Sequence, residues 1–185
     1  MPAVFGEMVL SVEAIVDAFR RHGDRVRGTY RAHYRFDAST RDPYAGVRIE
    51  RPESLVDNTA APYPWEQIYA AAAACAGSDY PMLALHFGIP LESVDFTVEG
   101  VFDPRGEFDG LAGFAAPADA QYCFRSLNLR TRLVSSATHE QLEALHDRVL
   151  AYNMVLGALR GIPQTNVLVI ESGARELREL TGAGR

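Results

Sequence analysis

Between Val26 and Phe36 the chain alternates strictly, with Val26, Gly28, Tyr30, Ala32, Tyr34 and Phe36 on one face and Arg27, Thr29, Arg31, His33 and Arg35 on the other. A period of two belongs to an extended strand, whose successive side chains point to opposite faces. The pattern predicts a strand with one apolar and one arginine-rich face. Ahead of it the period changes: Val12, Ile15, Val16 and Phe19 recur at helical spacing behind Ser11, an N-cap residue, and Gly23 stops the helix at about His22. A short strand around Val47 to Arg51 completes a hairpin with the first strand. Pro64 stands where a helix can open, and the run EQIYAAAAACAG carries it on, with a distortion at Pro81, to about Phe87.

The second half repeats both periods. Strands are predicted over Ser93 to Phe102 and Gln121 to Val134, joined by a long connection from Arg105 to Asp119 that is rich in Gly, Ala, Phe and Pro. Thr138 with Gln141 forms a capping-box pattern that opens a helix to about Tyr152. The last strand falls over Asn166 to Glu171, and a charged helical tail follows it. This order indicates an α+β domain with helices packed on a mostly antiparallel sheet. It divides the chain into an N-terminal helical extension over 1–24, a central domain over 25–172 and a C-terminal tail over 173–185.

Composition narrows the function. With 185 residues, 48% of them hydrophobic, the chain supports one substantial core. A net charge of −6 argues against a nucleic-acid surface, which needs an excess of clustered Lys and Arg. No apolar run approaches the ~20 residues that span a bilayer, and Met1 to Leu10 lacks the basic and apolar blocks of a secretory signal. A cytoplasmic protein without a membrane anchor is expected. Cys75 and Cys123 are the only cysteines, too few and too far apart for a disulfide framework or a paired zinc motif. His86, His139 and His146 share no ligand spacing, so neither a metal nor a cofactor is expected.

The segment Pro64-Trp65-Glu66-Gln67-Ile68-Tyr69, then five alanines and Cys75, resembles the OsmC-like (organic hydroperoxide resistance) pattern of Pro, Glu, apolar residues, an Ala-rich stretch and Cys. Glu66 precedes Cys75 by nine positions, as in the general branch of that family. HFGIPLESVDFTVEGVFD and THEQLEALHDRVLAYN are similar to its next strand and second helix, and the order of elements agrees from about Gly28 to Glu171. The resemblance implies an OsmC-like fold with a long central helix, a second packing helix and an intertwined homodimer. It also implies reduction of organic hydroperoxides by paired cysteines, the first being Cys75. The position of the second cysteine reads Asn153 here, in Ala151-Tyr152-Asn153-Met154-Val155, with Met154 where the family has proline.

A peroxidatic cysteine must be an accessible thiolate, and something has to offset the desolvation that would otherwise raise its pKa. The resemblance assigns that task to an Arg from the early strand region held by a Glu near the start of the long helix. Glu66 fits the Glu, and Arg31, Arg35 and Arg41 are the candidate arginines. Two functions follow. One is a peroxidase using Cys75 in a one-cysteine cycle, with its sulfenic acid recycled by an external thiol. The other is a non-redox scaffold holding a small hydrophobic ligand at the subunit interface, in a pocket lined by Tyr69, Phe87, Tyr152 and Met154. Packing alone would also put a small residue such as Cys75 in an Ala-rich helix, and Cys123 shares the parity of Leu127, Leu129 and Leu133 as a core position.

Overall fold

The computed structural model describes residues 11–39, 47–50, 64–120, 123–172 and 176–183. The segment Met1 to Leu10, Arg41 and Arg51 lie outside the described residues. Helix α1 (Val12–His22) opens on Ser11, whose hydroxyl accepts from the Ala14 amide at 3.2 Å, and closes on Gly23 at φ 54°. The remaining elements are β1 (Gly28–Asp37), β2 (Arg48–Glu50), α2 (Pro64–Phe87), β3 (Leu91–Phe102), β4 (Phe124–Ser135), α3 (His139–Tyr152), α4 (Met154–Ala158), β5 (Gln164–Ser172) and β6 (Glu176–Ala183). The strands form one sheet in the order β2-β1-β3-β4-β5-β6. Every pairing is antiparallel except β4 with β5, which are parallel because α3 and α4 carry the chain back across the sheet.

The alternation in β1 works as its period requires. Tyr30, Ala32 and Tyr34 are buried against α2, together with Val94, Phe96 and Val98 of β3. Two glycines set how closely α2 lies on the sheet. A Cβ on Gly77 would run into the Tyr34 ring, and one on Gly100 of β3 would run into the Tyr69 ring. The alanines of α2 serve the same approach, with Ala72, Ala73 and Ala76 fully buried. Pro81 forfeits one backbone bond inside α2, yet the helix runs on to Phe87. The Thr138–Gln141 capping box is present at the start of α3.

The C-terminal tail departs from expectation. The charged tail is a strand rather than a helix: β6 pairs with β5 from Ser172 opposite Glu176 to Thr165 opposite Ala183. Leu177 and Leu180 are spaced as in a helix, but the unpaired backbone groups along β5 reward a ladder, and Thr181 and Gly182 are poor helix formers. The long connection after β3 is a connection as expected, and it contains three short 3-10 turns. Phe108 and Phe114 from those turns pack on Phe19 of α1, with ring centroids 5.3 and 5.7 Å apart. The N-terminal helix therefore docks on this connection. Among the described residues no helix is long and apolar enough to cross a membrane.

Candidate functional site

Helix α2 has two faces with different occupants. Tyr69, Ala73, Ala76 and Tyr80 face the sheet and are buried. Cys75 is half-buried, away from that face, and the helical period puts Asp79 and Met82, four and seven positions on, along the same stripe. Met82 and Leu85 of this stripe are exposed, as are Phe87, Tyr152 and Met154.

The polar centre of the stripe is built by the break between α3 and α4. Asn153 ends α3 in an extended conformation and caps α4, accepting the Leu156 amide on Oδ1 at 2.9 Å. That bond fixes which end of the amide is oxygen. The nitrogen must then point at α2, where Nδ2 donates to Cys75 Sγ at 3.2 Å and to Asp79 Oδ2 at 2.8 Å. Both N–H donors of this nearly buried side chain (3% exposed) and one lone pair of its oxygen are used. One amide nitrogen thus bridges the sulfur and a carboxylate that stands one helical turn from it on the same face.

One helical turn away the same two helices hold a sealed polar chain. Tyr80 Oη is hydrogen-bonded to His146 Nδ1 at 2.7 Å and to Thr131 Oγ1 at 3.1 Å. Burial keeps the Tyr80 hydroxyl above its ordinary pKa and pushes His146 down. His146 therefore stays neutral in the fold and acts as a packing group.

The other expected site residues are dispersed. Glu66 is fully buried near the start of α2. Nine residues of helix put it about 13.5 Å along the axis from Cys75 and half a turn round it, so the two side chains do not meet. Arg31 and Arg35 lie on the sheet face opposite α2, with the whole sheet between them and Cys75. Arg31 pairs with Glu99, and Arg35 with Asp95 at 3.6 Å. Arg41 lies outside the described residues. Tyr69 is 1% exposed, stacked on Tyr30 with its hydroxyl unpartnered above Gly100, which makes it a core residue and not a pocket wall. Met154 and Tyr152 flank Asn153 and are open to solvent. Cys123 packs against the core at the start of β4, where burial pushes its thiol up and Glu107 adds to the effect. Asp79 was missed by sequence reasoning. Its signal was its place four residues after Cys75, one turn along the same face. Among the described residues no group of three or more His, Cys, Asp or Glu is placed to hold a metal ion.

Two solved structures are similar to the chain. An OsmC-like protein from Mycoplasma pneumoniae is 12% identical, over 75% of this chain and 94% of its own, with a TM-score of 0.47. An OsmC-like hydroperoxide resistance protein from Jannaschia sp. CCS1 is 13% identical, over 84% of this chain and 100% of its own, with a TM-score of 0.49. No curated protein sequence matches. The family model described as OsmC-like protein matches residues 56–167, which hold both α2 with Cys75 and the Asn153 break. That match spans more than half of the sequence, and the chain belongs to the OsmC-like protein family.

Proposed function

We propose that this protein is a homodimeric, thiol-dependent peroxidase that reduces organic hydroperoxides at Cys75 in a one-cysteine cycle. The observation that carries the reading is the Asn153 amide donating to a half-buried sulfur from the position of the family's second cysteine. A hydrogen-bond donor there stabilises the thiolate, and Asn153 cannot form a disulfide. The thiolate attacks the distal peroxide oxygen, the O–O bond breaks, and sulfenic acid and alcohol result. One external thiol then condenses with the sulfenic acid, releasing water. A second thiol reduces that mixed disulfide, so two thiols supply the two electrons the peroxide takes. A cytoplasmic location suits such a reductant.

The homodimer is supported by the apolar side chains an isolated chain leaves in water: Met82, Leu85, Phe87, Tyr152 and Met154 are all more than half exposed. A second copy covering them would seat a hydrophobic peroxide beside Cys75. A second reading, a non-redox scaffold binding a small hydrophobic ligand on the same surface, is favoured by one observation. The Asp79 carboxylate shares a nitrogen with Cys75 and opposes thiolate formation.

The deciding measurement is consumption of cumene hydroperoxide with excess dithiothreitol, run on the protein and on Cys75→Ser. Turnover that vanishes in Cys75→Ser supports the peroxidase. Turnover equal in both, or none in either, rejects it and leaves the scaffold.

A further inference from the structure

We infer that Asn153 acts as the resolving group of this site, closing a covalent sulfur–nitrogen bond onto Cys75 after its oxidation. The inference rests on the peroxidase reading. A sulfenic acid condenses with a nearby thiol to a disulfide, or with a backbone nitrogen to a sulfenamide, and the side-chain nitrogen of Asn is an amide nitrogen of the same kind. Where a thiol would stand to resolve Cys75, this chain holds a primary amide nitrogen 3.2 Å from the sulfur. Reacting atoms at 3–3.5 Å are already at near-attack separation, and such proximity makes a sluggish nucleophile effective.

The surroundings of the amide supply what the step needs. The Leu156 amide holds Oδ1, so the side chain cannot flip its oxygen toward the sulfur. The Asp79 carboxylate holds Nδ2 at 2.8 Å and is placed to take a proton from it. As the N–S bond forms, the S–O bond of the sulfenic acid breaks. The amide proton passes to Asp79, and hydroxide leaves and collects that proton as water. No electrons change hands in this condensation. An external thiol then attacks the sulfur, breaking the S–N bond, restoring the Asn153 amide and leaving a mixed disulfide; a second thiol frees Cys75. Asp79, which opposes the thiolate before oxidation, serves as the base after it. Closure would also keep the sulfur from sulfinic acid while no reductant is at hand.

The test uses the full chain carrying Cys123→Ser, because a Cys75–Cys123 disulfide would lose the same mass. The protein is oxidised with one equivalent of cumene hydroperoxide without thiol, with dimedone absent or present, and read by intact mass and peptide mapping. Asn153→Ser is the partner variant, since serine preserves an N-cap oxygen for α4 but has no nitrogen. The expected product is a loss of about 2 Da from the reduced protein. It maps to a peptide pair joining Cys75 and Asn153 and is reversed by dithiothreitol. Dimedone labelling should be about tenfold lower than in Asn153→Ser, which stays sulfenic. Asp79→Asn should still form sulfenic acid but close the bond more slowly. Equal dimedone labelling with and without Asn153, or a 2 Da loss that persists in Asn153→Ser, overturns the resolving role and leaves the peroxidase standing. Failure of Cys75 to oxidise in any variant overturns both.

Discussion

Two arginine–carboxylate systems in this molecule use the same functional groups in opposite surroundings. After β3, Asp103 has a fully buried side chain and Arg105 one that is 4% exposed. The Arg105 fork donates to both Asp103 oxygens at 3.0 and 2.9 Å and reaches Asp24 at 2.8 Å, while Arg27 adds a bond to Asp103 at 3.1 Å. On the open sheet face, Arg31 and Arg35 are 51% and 69% exposed, and Arg132 bridges Asp95 and Glu171 at 3.2 and 2.9 Å. Register makes this ladder, since Arg31 stands opposite Glu99 and Asp95 stands opposite both Arg35 and Arg132. Burial makes the other. An exposed pair gives up little water and gains little, whereas a buried pair is stable only while every partner is in place. The buried system pins the turns that receive α1, and the ladder stiffens a sheet face turned away from Cys75.

The comparison breaks most visibly at Asp103. Asp103→Asn keeps the shape but removes the buried counter-charge of Arg105 and leaves it only the exposed Asp24, and should cost about 3 kcal/mol in urea unfolding. Burial alone would raise the Asp103 pKa, but the bonds from Arg105 and Arg27 outweigh it and leave the carboxyl below its ordinary value. A carboxyl depressed in the fold contributes its full stability above the unfolded pKa of about 3.9, and that contribution fades as pH falls through the folded value. The urea midpoint of the parent protein should therefore drop more steeply below pH 4 than that of Asp103→Asn. A variant within about 1 kcal/mol of the parent at pH 7 would mean that Asp24 and water suffice for Arg105 without the Asp103 charge. Arg132→Met comes next. Arg132 is half-exposed but binds two carboxylates at once, so a loss of about 1 kcal/mol is expected, smaller in high salt.

These arginines also mark where sequence reasoning stops. The alternation of β1 identified Arg31 and Arg35 as sharing a face, and the period of two was enough for that. Which side of the sheet the long helix would cover was set by the apolar parity of Tyr30, Ala32 and Tyr34, and that parity already turned both arginines away from α2. Helices α1, α2 and α3 were legible because caps and spacing are local: Ser11, Pro64 and the Thr138–Gln141 box all stand where elements begin, whereas the short α4 was not expected. β6 was not legible, because its strand character comes from an edge supplied by β5 and not from its own pattern. Cys75 and Asn153 could each be picked out by resemblance to the family, but their contact is long-range, and Asp79 enters only through the amide that it shares with the sulfur. Arg105 gave no signal at all, since burial of a charge beside Gly106 in a polar turn depends on the α1 layer that covers it.

The smallest effects are the most discriminating. Arg31→Ala and Arg35→Ala should each cost no more than about 0.2–1 kcal/mol, and the cost should shrink further in 0.5 M salt as screening weakens each pair. The resemblance to the family would give one of them the task of holding the Cys75 sulfur as a thiolate, whereas their positions put the sheet between them and it. If the Asn153 amide does that work, the rate of Cys75 alkylation by iodoacetamide at pH 7 should stay within about twofold of the parent in either Arg variant. In Asn153→Ser the rate should fall by more than that, because the sulfur loses its hydrogen-bond donor. A larger loss of rate in Arg31→Ala or Arg35→Ala would return the activating role to the open face and require that a second copy of the chain bring that face to the thiol.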